Sequence, residues 1–293
     1  MLRALAEVVP ADQLVGIVNV GDDLTLHGLR ICPDLDTITY TLAGLDNTET
    51  GWGLAGESWR VMAELSALGG ESWFSLGDRD LATHLYRTQR LADGDPLSAI
   101  TASLLAHHGV ATTLLPATED PLATTFDTVE HGTLSFQEYF VKHHHDVAVR
   151  GVAVHGAPSA RPGPGVLAAL EAADRIVISP SNPIISIGPI LAIPGISELL
   201  AARRSDVVAV SPLVGGRALK GPADRLLDEI GHGASAAGIA RTYAEVARAL
   251  VIDEVDADEA AAVEAAGVAC VVTGTIMDSP ERSRRLAEVV LDA

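Results

Sequence analysis

Four aspartates, Asp22, Asp23, Asp34 and Asp36, fall within a window of 15 residues. Carboxylates at this density suit a hard divalent cation. Mg2+ takes one or two of them, keeps several waters and completes its shell with substrate phosphates. Asp34 and Asp36 stand two apart, so on extended backbone both side chains point the same way. A structural alternative stays open, in which Asp34 or Asp36 caps the following helix and Asp22-Asp23 makes a turn.

Two further stretches suit phosphate oxygens. Ser179-Pro180-Ser181-Asn182-Pro183 runs on to Ser186-Ile187-Gly188-Pro189, and Ser211-Pro212-Leu213-Val214-Gly215-Gly216 follows later. Both offer small side chains, hydroxyls and backbone N–H groups ahead of helices. Residues 201–225 carry five basic groups (Arg203, Arg204, Arg217, Lys220 and Arg225) against the two acids Asp206 and Asp224. This window is positive, whereas residues 251–293 hold ten acids against three bases. The basic window suits phosphate; solvated helix ends are the alternative. Gly77-Asp78-Arg79-Asp80, followed by Thr83-His84, opens a helix. Asp78 and Asp80 suit capping, and Arg79 and His84 suit reaching a ligand.

Other signals are weaker. Gly51-Trp52-Gly53-Leu54-Ala55-Gly56 fits GxGxxG literally, but the preceding Leu45–Thr50 is no strand, which a dinucleotide fingerprint needs. His143-His144-His145 reads as surface, His107-His108 as a helix end, and Cys32 as a small core residue. No Ser/His/Asp hydrolase elbow is present.

Strands must hold these loops in place, and the sequence supplies them. Leu14–Val20, Arg175–Ser179, Val207–Val210, Leu250–Ile252 and Val268–Thr273 are short β-branched runs. They alternate with helical stretches at Val166–Ala173, Pro194–Arg203, Pro222–Ile230, Ala236–Ala249, Asp256–Ala266 and Pro280–Leu291. The alternation predicts an α/β, Rossmann-like three-layer fold with a mostly parallel sheet. Ligands then gather beyond the carboxyl ends of the strands. The expected organisation is a single domain over residues 1–293, with a small α+β insertion at about 116–154. The chain opens on a helix at Leu2–Val9, so a first strand and its loop are expected to be missing.

The 293 residues carry 39 acids and 20 bases, a net charge of −19, which excludes a nucleic-acid surface and docking on an anionic membrane. Hydrophobic residues make up 48% and aromatics only 4%, so aliphatic side chains must fill a sizeable core. Two cysteines are too few for a disulfide framework. No apolar run approaches a membrane span, and the first residues do not read as a signal peptide. A soluble cytoplasmic protein is expected.

Several motifs together resemble the CofD/FbiA family of 2-phospho-L-lactate and phosphoenolpyruvate transferases. They are Asn19-Val20-Gly21-Asp22-Asp23, His27-Gly28-Leu29, Cys32-Pro33-Asp34-Leu35-Asp36-Thr37 and Leu76-Gly77-Asp78-Arg79-Asp80-Leu81-Ala82-Thr83-His84. Phe136-Gln137-Glu138, Pro180-Ser181-Asn182-Pro183, Ser186-Ile187-Gly188 and Ser211-Pro212 continue the match in register. The resemblance implies transfer of a phospho-acid from a guanosine-diphosphate-activated donor to the ribityl hydroxyl of the deazaflavin FO. GMP is released and Mg2+ is used, in the making of coenzyme F-420. It further implies Asp36 as the key acid near metal and acceptor hydroxyl, with Asp34, Asp22 and Asp23 as further ligands. Ser179 to Asn182 and Ser186 to Gly188 would line the guanylate site, and the protein would be a homodimer. The absent first strand would carry a glycine-rich loop in this family. A non-catalytic nucleotide-sugar-binding regulator of the same superfamily is the alternative. Asp22-Asp23 is followed by Leu24-Thr25-Leu26 rather than a Gly/Ser-rich run, which favours the transferase.

Overall fold

The computed structural model describes residues 1–293. A short helix α1 (Leu2–Leu5) leads to strand β1 (Val15–Val18) and the hairpin β2 (Leu24–Leu26) and β3 (Leu29–Ile31). His27 and Gly28 turn that hairpin with φ of 53° and 77°, the double left-handed conformation whose twist matches paired strands. Helix α2 (Pro33–Leu42) begins directly after β3, with Pro33 pre-set for its first turn. Helices α3 (Arg60–Ala67), α4 (Asp80–Ala92) and α5 (Leu97–His107) precede β4 (Thr113–Pro116), which pairs in parallel with β1.

The chain next builds an antiparallel sheet from β5 (Ala123–Thr128), β6 (Gly132–Ser135) and β7 (Val149–His155), in the order β6-β5-β7. One π-helical turn, Glu138–Lys142, packs beneath it, and Tyr139 stacks on Phe126 at 3.9 Å between ring centroids. This is the segment whose short mixed strands read as an insertion.

The second half alternates regularly. It runs α6 (Val166–Ala172), β8 (Ile176–Ile178), α7 (Gly188–Leu191), α8 (Ile196–Ala202) and β9 (Val207–Val210). The hairpin β10 (Leu213–Val214) and β11 (Arg217–Ala218) and helices α9 (Ala223–Glu229) and α10 (Ala236–Tyr243) follow. Then come β12 (Ala249–Ile252), α11 (Ala260–Ala265), β13 (Ala269–Val272) and α12 (Pro280–Asp292). Strands β13-β12-β9-β8 form a parallel sheet. Every residue of β9 and β12 is buried, the pattern of a parallel sheet covered by helices on both faces. The parallel strands therefore lie in two sheets, β1–β4 and β8–β9–β12–β13, within the α/β, Rossmann-like fold.

Some boundaries differ from the sequence reading for local reasons. The helix expected over Leu2–Val9 ends at Leu5 and continues as turns. The helix expected to Ala249 stops at Tyr243, because Ala249 starts β12 against β9. No single helix is long and apolar enough to cross a membrane. The apolar stretch around Ile184–Leu191 bends by 91° before α8 and buries Ile185, Ile193 and Ile196 in the core.

Candidate active site

The loop after β1 and the first turn of α2 meet at Asn19. Its amide nitrogen donates to Asp22 Oδ1 (3.3 Å) and to Asp34 Oδ2 (3.2 Å), while its Oδ1 accepts the Gly21 N–H at 2.8 Å. One side chain thus sets the separation of two carboxylates that lie on different elements. Neither Asp22 nor Asp34 forms an ion pair. Burial, then the neighbouring charges of Asp34 and Asp23, push the Asp22 carboxyl well above its ordinary range. Burial pushes Asp34 up to about 6, against the Asn19 hydrogen bond.

Asp36 belongs to a different cluster. Asp34 and Asp36 lie inside α2, not on extended backbone. Two helical positions differ by about 200° around the axis, so the side chains leave on opposite sides. This overturns the expectation that they point together. Asp36 is clamped by Arg87, which reaches Asp36 Oδ2 with Nη1 at 3.0 Å and Oδ1 with Nη2. Arg87 is only 1% exposed and also donates to the Arg30 carbonyl at 3.3 Å. Burial works to lower the Arg87 pKa, but Asp36 and the nearby acids raise it and keep the guanidinium charged. His84 Nδ1 lies 3.7 Å from Asp36 and its Nε2 lies 3.2 Å from Asp80. Tyr40 donates to Asp80 at 2.6 Å. Burial pushes Asp80 up, but the hydrogen bonds and charge of His84 and the Tyr40 hydroxyl outweigh it and hold the carboxyl low.

Asp23 stands between these groups. Arg30 pairs with it at 2.8 Å, yet burial still raises its carboxyl to about 7. Cys32 is fully buried beside it as the N-cap residue of α2, and burial pushes its thiol well up, so a small core residue is the correct reading.

Two carboxylate groups can therefore be tested against a divalent cation. Asp36, Asp80 and His84 offer ligand atoms within 4.8 Å of one another, but Arg87 already supplies their positive charge. Asp22 and Asp34 have burial, mutual repulsion and no basic partner, and their hard oxygen donors fit Mg2+. The four aspartates thus divide into two arginine-paired residues, Asp23 and Asp36, and two without an ion-pair partner.

Asp22 and Asp23 also open onto a cleft of about 380 Å3. Its far wall is the antiparallel subdomain, through Thr124, Thr125, Gln137, Glu138 and Lys142, and Trp73 flanks it. Gln137 Nε2 donates to the Asp22 carbonyl at 2.9 Å, and the Thr124 N–H donates to the Gly21 carbonyl at 2.7 Å. Gly21 must be glycine for this junction. A Cβ there would lie 2.9 Å from Thr124 Oγ1, 3.1 Å from Asn19 Oδ1 and 3.2 Å from the Pro189 side chain. The Ser186-Ile187-Gly188-Pro189 segment therefore abuts the aspartate loop.

The other expected residues divide. Asn182 Oδ1 accepts from the Ile184 and Ile185 N–H groups (2.9 and 3.4 Å), while its Nδ2 is buried with no protein partner. The Ser181 N–H turns back to the Ser179 carbonyl at 2.7 Å. Gly188 starts α7, where an added Cβ would meet the Pro183 carbonyl at 3.1 Å. Ser211 accepts the Leu213 N–H at 3.1 Å and closes a local turn. Gly215 and Gly216 are the two-residue turn of the β10–β11 hairpin, with φ of 62° and 69°. The Gly215 N–H is taken by Asp256 Oδ2 at 3.0 Å, so this glycine pair is a turn and not an open phosphate cradle.

The basic window is largely structural too. Arg203 donates to the carbonyls of Leu170, Glu171 and Ala173 and pairs with Asp206. Arg204 donates to the carbonyls of Ala244 and Gly267, and Arg225 ties α9 to Tyr139 and His145. These three arginines satisfy helix and loop ends. Asp78 and Arg79 also lie outside the carboxylate cluster. Asp78 accepts the Arg60 and Val61 N–H groups (3.1 Å each) and so caps α3 rather than α4. Glu57 receives the Arg79 and Asp80 N–H groups at the start of α4, and Arg79 Nη1 holds the Ala55 carbonyl at 2.8 Å.

Arg87 and Tyr40 had no place in the sequence reading. A signal existed for Arg87. Asp80, His84 and Arg87 are spaced i, i+4 and i+7, a single stripe of one helix.

The class of protein follows from architecture and comparison together. Two crystal structures of a UPF0052-family protein from Bacillus halodurans share the fold, with TM-scores of 0.62 and 0.61 at 14% and 15% identity, covering 99% of this chain and 94% of theirs. At that identity the likeness establishes the α/β architecture alone. The family model described as "2-phospho-L-lactate transferase CofD" matches residues 1–277, and the chain belongs to the CofD family of transferases. It is similar to the phosphoenolpyruvate transferase of Kitasatospora aureofaciens, 44% identical over 98% of this chain and 91% of that protein. It is also similar to the 2-phospho-L-lactate transferase of Methanosarcina acetivorans, 38% identical over 99% of this chain and 94% of that protein.

Proposed function

We propose that this transferase moves a phosphoenolpyruvyl group from a guanosine-diphosphate-activated donor to the terminal ribityl hydroxyl of FO, releasing GMP. The acceptor oxygen forms a bond to phosphorus, the bond from that phosphorus to the GMP oxygen breaks, and the hydroxyl proton passes to solvent water. The observation that carries the reading is the Asp22–Asp34 pair. It is bridged by Asn19 and has no ion-pair partner, and its buried member Asp22 lines a cleft large enough for a small ligand. The phosphoenolpyruvyl donor is preferred to phospholactyl because relatives at 44% identity carry the former name and those at 38% the latter.

A neutral alcohol attacking phosphorus needs alignment and charge neutralisation more than a covalent intermediate. Asp22 and Asp34 would hold Mg2+, which when bound neutralises charge on the donor diphosphate. Asn19 fixes the spacing of the two carboxylates, and Gln137 anchors the Asp22 carbonyl from across the cleft. Asp36 acts through Arg87. With both oxygens on one guanidinium it is a buried acid that positions α2, and not the base that takes the acceptor proton.

The test incubates the protein with FO, Mg2+ and each guanylylated acid, and follows GMP and product mass. GMP and a product heavier than FO by the phosphoenolpyruvyl increment are expected. Binding of a nucleotide sugar with no GMP formed from either donor would favour a non-catalytic regulator instead.

A further inference from the structure

Strand β5 of the antiparallel subdomain alternates buried and open positions, with Thr124, Phe126 and Thr128 on the buried side. Phe126 fills the subdomain core, and the Thr128 hydroxyl donates to the Gly132 carbonyl at 2.7 Å. Thr124 is the exception. It is 2% exposed, yet its Oγ1 has no hydrogen-bond partner in the protein, although it lies among the residues lining the cleft beside Asp22. A buried hydroxyl without a partner is unfavourable, and valine has the same shape without it. Only a glycine at position 21 leaves room beside this hydroxyl, because a Cβ there would sit 2.9 Å from it.

The cleft's charge says what the hydroxyl meets. Asp22, Asp23, Glu71 and Glu138 line it against the single ammonium of Lys142. Arg30 compensates Asp23, and away from the Asp22–Asp34 pair Glu71 and Glu138 keep the wall acidic against Lys142. A neutral chain of hydroxyl groups, each both donor and acceptor, suits an acidic wall and a free threonine hydroxyl.

We propose that Thr124 is a specificity-determining residue whose hydroxyl binds a hydroxyl of the acceptor's sugar-alcohol chain, so that the antiparallel subdomain supplies the acceptor side of the site. This rests on the transferase reading above. Its backbone bond to Gly21 places Thr124 on the aspartate loop, so acceptor recognition and carboxylate geometry share one junction.

The test is a fluorescence titration of FO into the wild-type chain, Thr124→Val and Thr124→Ser, with thermal midpoints measured alongside. Thr124→Val is expected to weaken FO binding about tenfold, the effect of one lost hydrogen bond. Its midpoint should be unchanged or higher, and Thr124→Ser should bind as the wild type does. In turnover, KM for FO rises in Thr124→Val while KM for the guanylylated donor stays constant. Wild-type binding of FO by Thr124→Val overturns the assignment of Thr124 and leaves the transferase reading intact. No FO binding by the wild-type chain overturns both.

Discussion

Two carboxylate sites lie within one turn of the same helix and have opposite electrostatic solutions. Asp36 meets a guanidinium on both oxygens, with His84, Asp80 and Tyr40 completing the network around it. Asp34 meets Asp22, and the only group between them is the neutral amide of Asn19. A buried acid with its own arginine belongs to the architecture; a pair of acids without one is where we propose that a cation binds. The contrast shows why residue type and spacing could not assign the roles. Both residues are aspartates in one short motif, and only the rotation of α2 separates them.

The largest effect should come from the compensated side. Arg87→Gln leaves Asp36 buried without its guanidinium, which costs about 3–5 kcal/mol of stability, measurable by urea unfolding. A loss below about 1 kcal/mol, the scale of an exposed pair, would break the comparison. On the uncompensated side, Asp34→Asn should lower turnover by about a hundredfold or more, the scale for removing one preorganised charge-stabilising group, without lowering the metal-free thermal midpoint. Equal destabilisation by Asp34→Asn and Arg87→Gln would mean that the two acids play one role.

A smaller effect sharpens the same contrast through pH. The folded-state carboxyls of Asp34 and Asp23 are raised from 3.8 to about 6 and about 7. The folded chain then binds more protons than the unfolded one across that window, so these groups make stability fall as pH rises through it. Below 3.8 their penalty is absent, and above about 7 it is fully present. Thermal midpoints of metal-free protein across this window should carry that falling contribution, and Asp34→Asn should flatten it. An unchanged slope in Asp34→Asn would place the effect elsewhere.

Much of the scaffold was legible in the sequence because its signals are local. Val207–Val210 reads as a buried strand and is one, and Pro280 with Ser279 before it marks the start of α12. The aspartate loop was legible as a candidate site for the same reason, since its acids crowd together in the chain. What could not be read depends on rotation and on distant partners. The opposition of Asp34 and Asp36 required knowing that helix α2 begins at Pro33. The Arg87 clamp joins positions 51 residues apart, and Gln137 reaches Asp22 across 115. The basic window misled because charge in sequence does not reveal how many helix carbonyls Arg203 and Arg204 must satisfy.

Calorimetric titration of Mg2+ into the wild-type chain and Asp34→Asn tests the division most directly, with circular dichroism confirming that both are folded. A cation site in the wild-type chain that Asp34→Asn loses is the expected result. Equal Mg2+ affinity in the two proteins would contradict it.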